Sequence, residues 1–116
     1  MNIYDQAHEL ARALKDSEEY REYARLKDIA YEDDTNRTLL DEYKKMQFRM
    51  QARMASGERM DEEDFQKMQR ISSLLQLNQD AFGFLMAEYR FQTMLSDIYK
   101  ILADAAGIDL EKIMGG

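Results

Sequence analysis

The sequence predicts an all-α protein, an elongated antiparallel helical bundle or hairpin of about five helices, two of them long. Proline and valine are absent from the 116 residues, and glycine occurs only five times. Proline usually punctuates strands and turns, and valine favours strands, so their absence argues for helices. The good helix formers Ala, Leu, Met, Glu, Gln, Lys and Arg dominate instead. The length predicts one helical domain over residues 1–116.

The first two helices are predicted at about residues 3–15 and 17–32. Asn2 is placed to cap the first helix, and Asp16 followed by Glu19 predicts a capping box at the start of the second. The second helix carries a tyrosine-rich stripe. The first carries one apolar arc, which consists of Ile3, Tyr4, Ala7, Leu10, Ala11 and Leu14.

The third helix is predicted at about residues 35–56, between a cap at Asp34 and a stop at Ser56-Gly57. Apolar residues recur along it at three- and four-residue steps: Leu39, Tyr43, Met46, Met50 and Met54. We favour a core role for the three methionines, and a methionine-rich binding groove is the alternative. Phe48 lies opposite this stripe, where it is either packed by another helix or exposed for a partner.

The fourth and fifth helices are predicted at about residues 62–76 and 79–106. Acidic residues at the start of the fourth suit the positive end of its dipole. Asn78 is expected to cap the fifth helix and Gly107 to end it. A short turn is expected over residues 109–114.

The fifth helix is predicted to need neighbours on two sides. One continuous stripe consists of Phe84, Ala87, Phe91, Leu95, Ile98, Leu102 and Ala105, and the other side carries Phe82, Leu85, Met86 and Tyr89. A helix that is apolar on two faces must be covered on both. We therefore predict a homodimer and a possible protein partner. The candidate residues for this self-association or partner surface are Phe48, Phe82, Phe84, Leu85, Met86 and Phe91.

Helix length predicts the elongated shape. At 1.5 Å per residue the third and fifth helices would be about 33 and 42 Å long, whereas a compact domain of this size has a radius of gyration of about 13–14 Å. We expect these two helices to form an antiparallel hairpin that the shorter helices brace.

Basic charge is concentrated on the third predicted helix. The net charge of the chain is −7, but residues 35–60 carry a net +3. Lys45, Arg49 and Arg53 follow one another at four-residue steps on one flank. This flank is either a polyanion contact or a solvated surface that pairs with acids of adjacent helices. The overall charge repels polyanions, so we do not expect nucleic-acid binding. An RNA-associated accessory protein stays the alternative function.

No residue pattern predicts catalysis, a cofactor or a metal site. The chain has no cysteine, and its single histidine, His8, stands in an Asp-x-x-His arrangement that would need a second histidine for a di-iron centre. Motifs for nucleophilic catalysis or nucleotide phosphates are absent. We expect a protein that is not an enzyme and has no small-molecule substrate.

A cytoplasmic protein without membrane contact is expected. The longest apolar run, residues 81–87, is far shorter than the ~20 residues of a spanning helix. Asp5 and Glu9 stand where a signal peptide would have basic and then apolar residues.

Two segments resemble the YlbF/YmcA family of bacterial helical proteins, and most closely its YheA-like branch. They are residues 10–23 (LARALKDSEEYREY) and residues 78–91, which contain Ala87-Glu88-Tyr89-Arg90-Phe91 and precede Leu95, Asp97 and Ile98. The resemblance implies a self-associating helical bundle in the cytoplasm of a Gram-positive bacterium. Its better-known branches are non-catalytic regulators of competence, biofilm formation and sporulation, in a complex linked to RNA processing by an endoribonuclease.

Some complexes of that family are associated with iron–sulfur clusters, and the present sequence departs from them. Without cysteine it has no thiolate ligands to supply. The sequence as a whole therefore predicts a regulatory protein that acts through self-association and a helical partner surface, without a cofactor.

Overall fold

The computed structural model describes residues 2–108, and its regular elements in that range are five α-helices. They are α1 (Ile3–Lys15), α2 (Glu18–Glu32), α3 (Asp34–Ala55), α4 (Glu62–Leu77) and α5 (Gln79–Ala106). The predicted all-α class is confirmed, and each helix bound lies within one residue of its predicted position. The turn expected over residues 109–114 lies outside the described residues.

Asparagine and aspartate side chains begin three of the helices as their sequence positions predict. The Asn2 carboxamide oxygen accepts a hydrogen bond from the Tyr4 N–H at 2.9 Å. At α5, Asn78 accepts from the Ala81 N–H at 3.0 Å. At α4, one carboxylate oxygen of Asp61 accepts from the Asp64 N–H at 2.7 Å. Each bond satisfies a backbone donor that the first turn of a helix would otherwise leave unpaired.

Two predicted caps were wrong by one residue. Ser17, not Asp16, caps α2: its hydroxyl oxygen accepts from the Tyr20 N–H at 3.1 Å, while Asp16 ends α1. Asp33 caps α3 from an extended backbone, because Asp34 is already helical. In both places two adjacent residues have suitable side chains, and only the backbone angles decide which one accepts the bond.

Glycine ends α3 and α5 in the same way. Gly57 and Gly107 have φ of 78° and 70°, in the left-handed region that side chains disfavour. After α3, the Glu58 N–H donates to the Arg53 carbonyl at 2.8 Å, and after α5 the Ile108 N–H donates to the Ala103 carbonyl at 2.9 Å. These bonds are those of Schellman motifs, which satisfy the last carbonyls of a helix.

The chain divides into two compact units. The central unit is Ala24–Leu85, and the terminal unit has residues 2–23 and 86–108 as its described part.

The central unit is built on the antiparallel pair α3 and α4, the most closely packed helices of residues 2–108. This differs from the predicted hairpin of α3 with α5. α4 follows α3 after a connection of only six residues, 56–61, and ion pairs join the two helices along their length. The start of α5 contributes its side chains to the core instead. The buried apolar side chains of this unit belong to Ala30, Leu40, Met46, Ile71, Leu75, Ala81 and Phe84.

A pair of side-chain amides, one buried and one half-buried, links the starts of α3 and α5 within the central unit. The side-chain amide of Asn78 donates to the side-chain oxygen of Asn36, which is buried. Since Asn78 also caps α5, and Asn36 donates its backbone N–H to the α3 cap Asp33, one hydrogen-bonded chain joins both helix starts.

The terminal unit has few buried side chains. Ala87 and Ala103 of α5 are buried, whereas α1 buries none of its residues. An aromatic cluster joins α2 to α5: the Phe91 ring centroid lies 5.2 Å from that of Tyr23, which it stacks on, and 5.5 Å from that of Tyr20, which it meets edge-on. Both distances are typical of favourable aromatic pairs.

Candidate interaction surfaces

The six residues predicted for a self-association or partner surface differ in how far they are exposed to solvent. Phe48, with 75% of its surface exposed, Phe82 and Met86 are open to solvent. Leu85 and Phe91 are half-buried. Only the first three therefore present large apolar side chains outward.

Phe84 is a core residue, so its prediction as a partner residue was wrong. It is fully buried in the central unit. Its ring meets the Tyr31 ring edge-on, with 5.5 Å between centroids, and the Lys44 ammonium lies 5.1 Å from its centroid. The sequence identified two apolar faces on α5, but spacing alone does not say which one the rest of the chain covers.

The basic flank of α3 pairs with acids of α4. The Arg49 guanidinium lies 3.5 Å from the Asp64 carboxylate, and that of Arg53 lies 3.4 Å from the carboxylates of Asp61 and Asp64. Lys45 is exposed. Two alternatives were open for this flank, a polyanion contact and pairing with acids of an adjacent helix. The structure shows the second, and both arginines take part in it.

Asp61 is held in its charged form by its position at the start of α4. The Asp64 backbone N–H, which donates to it, lowers the pKa of Asp61 below its ordinary value, and Arg53 lowers it further by a hydrogen bond and by charge. Asp61 thus caps one helix while it pairs with the preceding one.

A shallow depression surrounds Phe48 on the outer face of α3. We call it the Phe48 patch, and its residues are Lys44, Lys45, Phe48, Arg49 and Ala52. Lys44, Lys45 and Arg49 line the depression beside the aromatic ring. The Lys44 ammonium lies over the Phe84 ring and Arg49 reaches Asp64, so Lys45 and the exposed part of Arg49 supply the positive charge beside Phe48.

The methionine stripe of α3 runs from the core to the surface. Met46 is buried, Met50 is half-buried and Met54 is 73% exposed. Met50 also lines an open groove of the central unit with Met60, Phe65 and Met68. Met46 therefore lies in the core, whereas Met50 lines a groove and Met54 lies at the surface.

The terminal unit exposes apolar side chains that the sequence assigned to the interior. On α1, Ile3 and Tyr4 are about three-quarters exposed, at 75% and 74%, and Leu10 is exposed as well. Within this unit the α5 stripe is buried at Ala87 but exposed at Leu102, near its far end, where 56% of the residue is accessible. An amphipathic helix with no assigned neighbour was the signal that could have identified this surface.

Two kinds of site are absent from residues 2–108. No group of three or more histidine, aspartate or glutamate residues there is arranged to hold a metal ion. No helix in the same range combines the length and the apolar character that crossing a membrane requires.

The chain is similar to proteins of one family over most of its length. The family model described as "Control of competence regulator ComK, YlbF/YmcA" matches residues 3–105. A UPF0342 protein of Halothermothrix orenii is 37% identical over 102 residues, which are 88% of this chain and 86% of the relative. A UPF0342 protein of Symbiobacterium thermophilum is 34% identical over 108 residues, 93% of this chain and 96% of the relative.

One solved structure has the same fold. It is a protein of unknown function (DUF964) from Bacillus stearothermophilus, with a TM-score of 0.75 and 16% sequence identity. The match covers 90% of this chain and 92% of the other.

Proposed function

The chain belongs to the YlbF/YmcA family, described as control of the competence regulator ComK, and we propose that it is a non-catalytic cytoplasmic regulator that self-associates and binds a protein partner. The family description supports a regulatory role. We further propose that the protein is not a catalyst, that it pairs with a second copy of itself, and that it presents a surface to a protein partner.

The main support for self-association is the exposed apolar arc of α1. A helix of 13 residues is marginal by itself in water, and helices of this length are usually stabilised by packing of an apolar face. α1 has such a face but buries none of its residues in the single chain. A second copy would cover it, and the exposed end of the α5 stripe at Leu102 supplies further apolar surface in the same unit.

The RNA-associated alternative has weaker support. A polyanion contact on α3 would use Lys45, Arg49 and Arg53, and two of these already lie within ion-pair distance of α4 acids. RNA binding would have to displace those acids against the net charge of −7.

Sedimentation velocity at micromolar concentrations tests the self-association. We expect a species of twice 13.7 kDa that dissociates on dilution. Leu102→Asp puts a charge on the exposed end of the stripe and should give a monomer. Ser96→Asp adds the same charge to an exposed position elsewhere on α5 and should leave the dimer intact. A wild-type chain that is monomeric at every concentration would refute this part of the proposal.

A further inference from the structure

Phe48 differs from a scattered surface hydrophobe because of what surrounds it. It lies near the middle of the 22-residue helix α3 and is 75% exposed. Ala52, one turn further on, leaves open space beside the ring, and the stems of Lys44, Lys45 and Arg49 close the rim of the depression. A single large apolar side chain of another molecule fits such a depression.

The charges around the ring select the partner's chemistry. Two cationic side chains of the patch, Lys45 and Arg49, are exposed, whereas the Lys44 ammonium lies 5.1 Å from the Phe84 centroid. They belong to the segment 35–60, which has a net charge of +3, while the chain as a whole has −7. Lys45 is exposed, and the Arg49–Asp64 pair at 3.5 Å involves an arginine side chain that is more than half exposed. The Asp64 side chain is only 14% exposed, but it also lies 3.4 Å from Arg53, so an incoming carboxylate can pair with Arg49 without leaving Asp64 unpaired.

We propose that the Phe48 patch binds an acidic amphipathic segment of a partner protein. One large apolar side chain of that segment packs against Phe48 and Ala52, and its carboxylates lie beside Lys45 and Arg49. Charge complementarity of this kind steers association and sets specificity. The inference rests on the proposed regulatory function and deepens it, because it states the chemistry of the partner.

Two other occupants fit the patch less well. A second copy that met this one through the same patch would place cations against cations, because a two-fold interface pairs identical surfaces. RNA affinity comes mainly from several phosphate contacts, whereas the patch has three cations, of which Arg49 pairs with Asp64 and Lys44 lies over the Phe84 ring.

Selection from a displayed library tests the proposal on the full-length chain. The library contains random segments of about 16 residues, or roughly four helical turns. We expect the selected segments to have a net negative charge and at least one large apolar residue. Their affinity should fall at least tenfold in Phe48→Ser and in Lys45→Glu, stay unchanged in Lys45→Arg, and decrease as salt is added.

Met54→Ser is the matched control. Met54 is an apolar residue of the same helix with nearly the same exposure, 73% against 75%, but it is not part of the patch. Selected segments should bind this variant like the wild type. Circular dichroism and urea unfolding establish that every variant is folded.

Five results would overturn the proposal. In three of them the selection yields no segments, it yields neutral or basic ones, or their affinity is the same for Phe48→Ser as for the wild type. In the fourth, Phe48→Ser abolishes binding of a fluorescein-labelled poly-uridine RNA at ~50 mM salt. In the fifth, Phe48→Ser dissociates the dimer while Leu102→Asp does not. A monomeric wild type that still selects acidic segments would refute self-association alone and would support the patch.

Discussion

At the scale of single residues, Phe84 and Phe82 show how two phenylalanines of one helix acquire opposite roles. They are separated by two positions, which on a helix places them on different faces. Phe84 is fully buried beside Tyr31 and Lys44, whereas Phe82 is exposed. The same residue type therefore contributes to the core at one position and to the surface at the other.

Truncation of these two side chains should separate the roles. Phe84→Ala leaves a cavity in the central unit and is expected to lower the free energy of unfolding by ~3–5 kcal/mol. Phe82→Ala removes a side chain that is partly in water already, so its effect should be clearly smaller. Urea unfolding followed by circular dichroism measures both, and equal losses would contradict the assignment of Phe84 to the core.

Residue-scale features of the candidate surfaces were only partly predictable. Lys45, Arg49 and Arg53 share a flank by spacing, but the pairing of the two arginines with acids at the start of α4 depends on α3 and α4 lying antiparallel. The sequence identified Phe48 as lying opposite the methionine stripe. It could not say whether another helix covers Phe48, because that depends on where the remaining helices pack.

At the scale of elements, helix ends are determined locally and were predicted within one residue. Caps, glycine stops and helical periodicity act within a few residues of one another, so a single sequence contains them. Which helix packs on which depends on the whole chain. The sequence therefore predicted the existence of α3, α4 and α5 correctly but favoured a different partner for α3.

We expect the stability of the fold to depend on pH through Asp61, the residue that caps α4. The pKa of Asp61 is lowered in the folded chain, mainly by the Asp64 N–H and then by Arg53. A carboxylate with a lowered folded pKa stabilises the fold above its unfolded pKa, and the contribution is lost as pH falls through the folded pKa.

We expect the wild type to be more stable than Asp61→Asn at neutral pH, and this advantage to shrink once pH falls below the ordinary aspartate value of 3.8. Urea unfolding midpoints between pH 7 and pH 3 measure it. Glu63→Gln removes one charge from the same helical turn and serves as the control. An advantage of the wild type that is constant over the whole range would contradict the role of Asp61.

At the scale of the whole molecule, the proposed self-association couples unfolding to dissociation. A dimer whose chains separate on unfolding becomes more stable as protein concentration rises. We expect the Tm to increase by about 3 °C for each tenfold increase in concentration. Leu102→Asp should abolish this dependence. Calorimetry over a hundredfold range measures it, and a wild-type Tm that does not change with concentration argues for a monomer.

The amide pair of Asn36 and Asn78 restricts how the central unit can be assembled. Apolar side chains tolerate many neighbours, so a core of Leu, Met and Phe alone would allow α5 to start one helical turn earlier or later along α3. Each such shifted packing would leave the buried Asn36 side chain without this partner, at a cost of about 1–3 kcal/mol. The pair thus fixes the register of α5 against α3, because it favours one alignment of the two helices among several that hydrophobic burial alone would accept.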